Sequence, residues 1–268
     1  MKINQNMSAL ITINALNKNE NAASKAMERL SSGLRINSAK DNAAGLAIAN
    51  KLDTQARGLK QASRNAMDGI SLVQTAEGSL NEVSDMLVRL KELATQSGNG
   101  TYMDVDKEAI QAEMDSLIEE INAIQEKTEF NEQKILNISG NLVIQIGANA
   151  DENVVMNGEE INLYHVTKHI NGLKTGDLDA QKRIEDAIVE TARIRGYLGA
   201  YQNRLEHTTA NLDVSEENMV SALSRIKDAD MAEEMTTYTQ YNVLTQAANA
   251  MLAQANQRPQ QVLQLLNA

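Results

Sequence analysis

From Ile184 onward, apolar or small residues recur at positions 188, 191, 194, 198, 201, 205, 208, 212, 215, 219, 222 and 226, in steps alternating between three and four. That spacing keeps one stripe of a helix facing a partner helix, as in a heptad seam. A second seam runs through Val73, Ala76, Leu80, Val83, Leu87, Leu90 and Ala94, and extends back through Ala66, Ala62, Leu59 and Leu52. A third, shorter one is Ile110, Met114, Leu117, Ile121 and Ile124. Three seams of one period predict a mainly α protein: a long antiparallel coiled-coil or helical-bundle rod. At about 1.5 Å per residue, a helix over 42–97 would extend roughly 84 Å. Gly98 and Gly100 in "QSGNGTYMDVD" end that helix and permit a reversal, with Asp104 placed to cap the next one.

After Phe130 the pattern changes. "ILNISGNLVIQIGANADENVVMNGEEINLYHV" has alternating and β-branched runs cut by Gly, Asn and Asp, which predicts a patch of short strands at about 135–170. "NGLKTGDLD" reads as a loop, and Asp177 or Asp179 would start the last rod helix. The chain ends carry stripes of their own. One is Ile3, Met7, Leu10, Ile13, Leu16, Ala23, Met27, Leu30 and Leu34. The other is Met235, Tyr238, Tyr241, Leu244, Ala248, Met251, Ala255, Val262 and Leu265. An isolated helix depends on a packing partner, and the simplest partner for each end is the other. The expected organisation is an N-terminal core helix over 1–41, and a region of two helices plus the β-patch over 42–176. A rod helix over 177–228 and a C-terminal core helix over 229–268 complete it. Pro259 predicts a kink or a helix end in the last segment.

Composition sharpens this. The chain has one Phe, six Tyr, no Trp and a single proline in 268 residues, so a thin core between paired helices fits better than a thick globular one. Charge is unevenly spread: residues 1–40 carry six Lys or Arg against two Glu, and residues 236–268 carry only Arg258. With a net charge of −11 overall and +4 and +1 at the two ends, residues 41–235 carry −16. A C-terminal segment that is polar without charge suits a water-filled lumen, or packing against further copies of the same helix. A monomer whose ends stay disordered until they meet a partner is the competing expectation.

Several chemistries are excluded or unsupported. Without cysteine there is no disulfide, zinc-thiolate or thiol nucleophile. No apolar run of 18 residues exists, so no membrane insertion is expected. The basic start has no aromatic residue before Tyr102 on which bases could stack, which argues against nucleic acid. His165 and His169 stand at i, i+4 without a third ligand of zinc-site type, and "DVDKE" lacks the glycine and terminal Glu of a calcium loop. No catalytic signature is present, so no enzyme activity, cofactor or metal is expected. The triplets "NMS" at 6–8 and "NIS" at 137–139 match a glycosylation pattern but select no function.

Five blocks carry a resemblance: "LSSGLRINSAKDNAAGLAIANKL" (30–52), "RNAMDGISLVQTAEGSLNEV" (64–83), "LGAYQNRLEHTTANL" (198–212), "SRIKDADMAEEM" (224–235) and "AMLAQANQRPQQVLQLL" (250–266). In order and over nearly the whole chain, they resemble bacterial flagellin, with "TEFN" (128–131) and "IQIGANA" (144–150) similar to its β-containing shoulder. The resemblance implies a homopolymer: a subunit of the flagellar filament, exported unfolded and assembled at the distal tip. Its paired ends would line the central channel, with the rod outside. An export chaperone, the export apparatus, and hook-associated junction and cap proteins are the implied partners. The segment "LYHVTKHINGLKTGDLD" leaves almost no room for the variable outer region of most members, which implies a thin, smooth filament. A hook–filament junction protein, or a secreted monomeric helical binding protein, is the alternative.

The subunit-assembly residues so implied are Ile3, Met7, Leu10, Leu30, Leu34, Leu244, Met251, Leu252, Val262 and Leu265. Arg89, Leu93 and Glu113 fall where the resemblance places the surface detected by the vertebrate Toll-like flagellin receptor. Gly58, Gly69 and Gly78, all inside the first long helix, are expected either to allow close helix approach or to provide local compliance.

Overall fold

The computed structural model describes residues 6–138, 140–175, 177 and 179–266, with the backbone alone over 259–266. Among the described residues, seven helices and four short strands follow in the order α1 (Met7–Ser32), α2 (Ala43–Ser97), α3 (Asp104–Lys127), β1 (Glu129–Phe130), β2 (Gln133–Lys134), β3 (Leu142–Gln145), β4 (Asn153–Met156), α4 (Gly158–Ile161), α5 (Tyr164–Ile170), α6 (Ala180–Lys227) and α7 (Met231–Leu266). The chain forms two compact units: residues 1–54 with 218–268, and residues 55–217. The division falls inside α2 and α6, whereas the chain breaks its helices at 33–42 and 228–230.

Within the second unit, α2 and α6 run antiparallel. Cross-links descend along one helix as they rise along the other: Lys60–Glu216 at 4.0 Å, Glu77–Arg195 at 3.7 Å and Lys91–Glu185 at 3.6 Å. Ser63 Oγ donates to Asp213 Oδ1 at 2.9 Å in the same register. The predicted seams lie on the buried faces: Val73, Ala76, Leu80, Val83, Leu87 and Leu90 of α2 share one core with Ile184, Ile194, Leu198 and Leu205 of α6, joined by Ala187, which the seam did not include. Helix α3 joins it through Ile110, Met114, Ile118 and Ile121. Burying each large aliphatic side chain contributes about 1.5–3 kcal/mol, so a seam repeated over many turns can hold a bundle that lacks aromatics.

Asp104 is not the N-cap of α3. Met103 occupies that position and has no side-chain oxygen to offer; Asp106, three residues on, accepts from the Met103 N–H at 3.2 Å. Strands occupy a narrower stretch than expected. Asn131 and Glu132 both have positive φ, which makes the tight turn between β1 and β2. β3 pairs antiparallel with β4, burying Ile144, Val154 and Met156 while Val143 and Val155 stand opposite each other on the outer face. Residues 158–170, expected as strand, are largely helical (α4 and α5). Asn157 caps α4 by accepting from the Glu159 N–H at 3.1 Å, and Ile161, Leu163, Val166 and Ile170 bury a helical face.

In the first unit, α1 and α7 pair antiparallel. Asn6 meets Ala255 at one end and Arg29 meets Glu234 at the other. Gly33, with φ +71, ends α1 in the left-handed conformation, its N–H donating to Arg29 O at 2.8 Å. The two linkers then bridge: Arg35 N donates to Lys227 O at 2.8 Å, and Ala229 N to Gly33 O at 3.0 Å. The last helix does not end at Pro259, since α7 continues to Leu266.

Candidate functional site

The surface of interest is the α1–α7 pair. What closes it is small: Ala9 and Ala26 of α1, and Ala248 and Ala255 of α7, are the buried positions. Alanines bring two backbones close but bury little area. Many of the larger apolar residues remain uncovered. Met7 (58% exposed) and Leu10 (52%) on α1, and Leu244 (40%) and Met251 (63%) on α7, stand open to solvent. Leu30, Leu34 and Leu252 are half-buried. Ile3 lies outside the described residues, as do the side chains of Val262 and Leu265. Ile13, Met27 and Met235, expected to face the partner helix, are also largely exposed. Of the buried alanines, Ala248 and Ala255 belong to the predicted C-terminal stripe, whereas Ala9 and Ala26 lie off the predicted N-terminal one.

Periodicity missed Ile11 and Val243, which lie off the stripe and are as exposed as its members. The uncovered strip bears no charge from Met7 to Asn17 of α1 or from Thr236 to Gln257 of α7. The antiparallel pairing brings these two chargeless stretches side by side. Met235, Thr236, Thr239, Gln240, Val243 and Leu244 line a shallow, mostly apolar depression along α7. Exposed contiguous apolar surface of this kind marks an association face.

Charge returns at the opposite end of the pair. Arg29 Nη1 donates to Glu234 Oε1 at 2.6 Å, and Arg35 Nη2 donates to the carbonyls of Arg225 and Ile226 at 3.1 and 2.9 Å, covering the last turn of α6. Asp41 orders the following loop. It pairs with Lys25 at 3.1 Å and accepts from Ser38 Oγ at 3.0 Å and Ser38 N at 3.1 Å. The Lys25 ammonium, followed by the Ser38 hydroxyl, holds the Asp41 carboxyl well below the usual carboxylate range.

The second sequence-derived surface is only partly a surface. Arg89 and Glu113 are exposed and bridge α2 to α3, with Nε and Nη2 of Arg89 donating to Glu113 Oε1 at 3.0 and 2.8 Å. Glu113, and after it Glu92, hold the Arg89 guanidinium more firmly protonated than usual. Leu93 is not beside them on the outside. It is 1% exposed, within the core cluster shared by α2, α3 and α6. The glycines also separate. A side chain at Gly58 would meet Ala148 Cβ at 2.8 Å and one at Gly69 would meet Ile144 Cδ1 at 2.7 Å, so both serve close approach; nothing lies within 4 Å of Gly78.

Among the described residues no group of three or more His, Asp or Glu side chains is arranged to hold a metal ion, and no helix is long and apolar enough to cross a membrane. The arrangement is that of a helical structural protein whose chain ends pair through small residues and leave large apolar ones uncovered. The chain belongs to the bacterial flagellin family. The bacterial flagellin N-terminal helical region matches residues 3–140, and the bacterial flagellin C-terminal helical region matches residues 181–266. The chain is 47% identical to the flagellin of Bacillus subtilis (strain 168) over 303 residues, covering 99% of this chain and all of that protein. It is 41% identical to the flagellar filament 31.3 kDa core protein of Treponema maltophilum over 285 residues, with 99% and 100% coverage. The crystal structure of Bacillus cereus flagellin aligns with a TM-score of 0.51 at 27% identity, covering 60% of this chain and 94% of that one. The protein is accordingly a subunit of the flagellar filament and not an enzyme. It is a short form: only the 171–179 loop separates α5 from α6, where a large variable domain would stand.

Proposed function

We propose that the chain leaves the cell unfolded through the flagellar export apparatus, held by an export chaperone, and folds at the distal tip beneath cap proteins. Hook-associated junction proteins would join the resulting extracellular filament to its base. The observation that carries this reading is the uncovered, chargeless strip along α1 and α7. A free monomer gains nothing from exposing Met7, Leu10, Leu244 and Met251, whereas a chain that docks on its own kind buries them on arrival. The absence of cysteine suits passage as an unbridged thread.

In this reading residues 1–41 and 229–268 are the filament-core helices and residues 42–228 the rod. Ile3, Met7, Leu10, Leu30, Leu34, Leu244, Met251, Leu252, Val262 and Leu265 contact neighbouring copies, and the chargeless face of α7 borders the export channel. The outer surface is smooth because α5 passes into α6 by a short loop. Arg89 and Glu113 present the patch offered to the vertebrate Toll-like flagellin receptor, while Leu93 acts beneath it by packing.

Deleting residues 1–40 or 236–268 tests the assembly role. The truncated chains should keep helical circular dichroism from the second unit and should no longer sediment as filaments after seeding. A truncated chain that still forms filaments would refute it.

A further inference from the structure

Asparagine–glycine steps occur at Asn99–Gly100, Asn157–Gly158 and Asn171–Gly172. Such a step can cyclise, because glycine has no side chain to obstruct its nitrogen as it approaches the preceding side-chain amide. Two conditions govern the reaction: the amide must fold back over that nitrogen, and the glycine backbone must be free to move toward it. Asn157 meets only the first. Its Oδ1 accepts from the Glu159 N–H at 3.1 Å, two residues on, so the amide is folded back. Gly158, however, is buried at the start of α4, so close to the Gly140 carbonyl and Ile138 that a Cβ there would collide with both. Asn171 shows the converse. Nothing lies within 4 Å of a Cβ at Gly172, but Asn171 Oδ1 accepts from Asn122 Nδ2 at 3.1 Å and its carbonyl from Arg183 Nη2 at 2.7 Å. Side chain and backbone are thereby tied to α3 and α6. Asn99 satisfies both conditions. It lies past the end of α2 in the turn to α3, and both it and Gly100 are exposed. Asn99 Oδ1 accepts from the Thr101 N–H at 3.3 Å, which folds the amide over the Gly100 nitrogen and draws electron density from Cγ. Nothing lies within 4 Å of a Cβ at Gly100.

We propose that Asn99 is a self-modification site, at which the side-chain amide is lost by deamidation. The Gly100 nitrogen, its proton given up to solvent base, bonds to Asn99 Cγ. The Cγ–Nδ2 bond then breaks, and Nδ2 takes a proton from water and leaves as ammonia, closing a cyclic imide. Water adds to either imide carbonyl and breaks its bond to the ring nitrogen, leaving aspartate or isoaspartate at position 99. Nothing is oxidised or reduced: amide and water become carboxylic acid and ammonia. The new carboxylate joins Glu92 in the shallow depression that Val88, Lys91 and Tyr102 also line, on the turn into the acidic first turn of α3. The reaction belongs to the single chain and does not depend on the filament reading.

Incubating the full-length protein in mildly alkaline buffer, folded and in urea, tests this. Peptide mass spectrometry reads deamidation at each step, and enzymatic methyl labelling reads isoaspartate. In the folded protein Asn99 should react at least about tenfold faster than Asn157 or Asn171, since each of those must first break a hydrogen bond or a packed contact. In urea the three rates should converge to within about threefold, because the fold and not the dipeptide sets their order. Gly100 is outside the left-handed region, so G100A should keep the helical circular dichroism while slowing the Asn99 reaction at least about tenfold. Equal rates at the three steps of the folded protein, a lead for Asn157 or Asn171, an intact Asn99, an undiminished lead in urea, or no effect of G100A would each overturn the proposal. All these outcomes are read without polymerisation, so they separate from the fate of the assembly model.

Discussion

Arg29 Nη1 lies 2.6 Å from Glu234 Oε1, joining α1 to α7 at the end of the pair opposite Asn6 and Ala255. Between these two fastenings the fully buried side chains among the described residues are alanines, so the polar bonds at the ends are well placed to fix the pairing. Replacing Arg29 by Ala leaves Glu234, only 12% exposed, without its partner. Leaving such a group unsatisfied costs about 1–3 kcal/mol. Chemical denaturation followed by exchange at α1 and α7 amides should show that loss in the first unit and little change in the second.

The glycines of the long helices should split by sign. Nothing stands within 4 Å of a Cβ at Gly78, Gly196 or Gly199. Alanine there should stabilise by about 0.4–1 kcal/mol each by restricting the unfolded chain. Gly58→Ala meets Ala148 Cβ at 2.8 Å and its Cα at 3.3 Å, and overpacking of this kind costs about 1–3 kcal/mol. Thermal unfolding of the four single variants measures both signs in one experiment.

The Asp41 carboxyl is held below its ordinary range by Lys25 and Ser38. A carboxylate whose folded pKa is depressed contributes stability above its unfolded pKa of about 3.9 and loses it as pH falls toward the folded value. The unaltered protein should therefore exceed Asp41→Asn in stability at neutral pH, with the gap closing only below about pH 4. Acid titrations of the two proteins in parallel would show it. A gap that closes between pH 5 and 7 would point to a different group.

Arg89 and Leu93 should behave differently although they stand one helical turn apart. Arg89→Ala breaks an ion pair whose ends are each about half exposed, and such surface pairs contribute about 0–1 kcal/mol. Leu93→Ala opens a cavity in the core and should cost about 2–5 kcal/mol. In a receptor reporter assay, Arg89→Ala should lower the response at unchanged melting temperature. A response lost with Leu93→Ala should track unfolding instead.

These contrasts show what the sequence could and could not reveal. The seam from Val73 to Ala94 was legible because one helix face meets one partner with a fixed period. Leu93 was misplaced because α3 also packs on α2, widening the buried stripe beyond a two-helix seam. The 158–170 stretch looked extended as the continuation of alternating and β-branched runs cut by Gly, Asn and Asp. What decided it was the Asn157 cap and the burial of Leu163, Val166 and Ile170 on one helical face. Local reading of Pro259 predicted a kink or a helix end, and the helix does not end there, since α7 continues to Leu266. The candidate assembly stripe was legible as a periodicity, but only the fold shows that Ala9 and Ala26, off that stripe, are buried while Met7 and Leu10, on it, are left outside.

The central claim is that the uncovered strip on α1 and α7 is the polymerisation surface. Seeded assembly of Leu244→Glu/Met251→Glu beside the unaltered protein, scored by sedimentation and negative-stain electron microscopy, tests it most directly. Both side chains are exposed in the single chain, so the double variant should keep its helical circular dichroism and melting temperature. It should remain monomeric while the unaltered protein grows into thin, smooth filaments. Filaments of normal yield and diameter from the double variant would contradict the account.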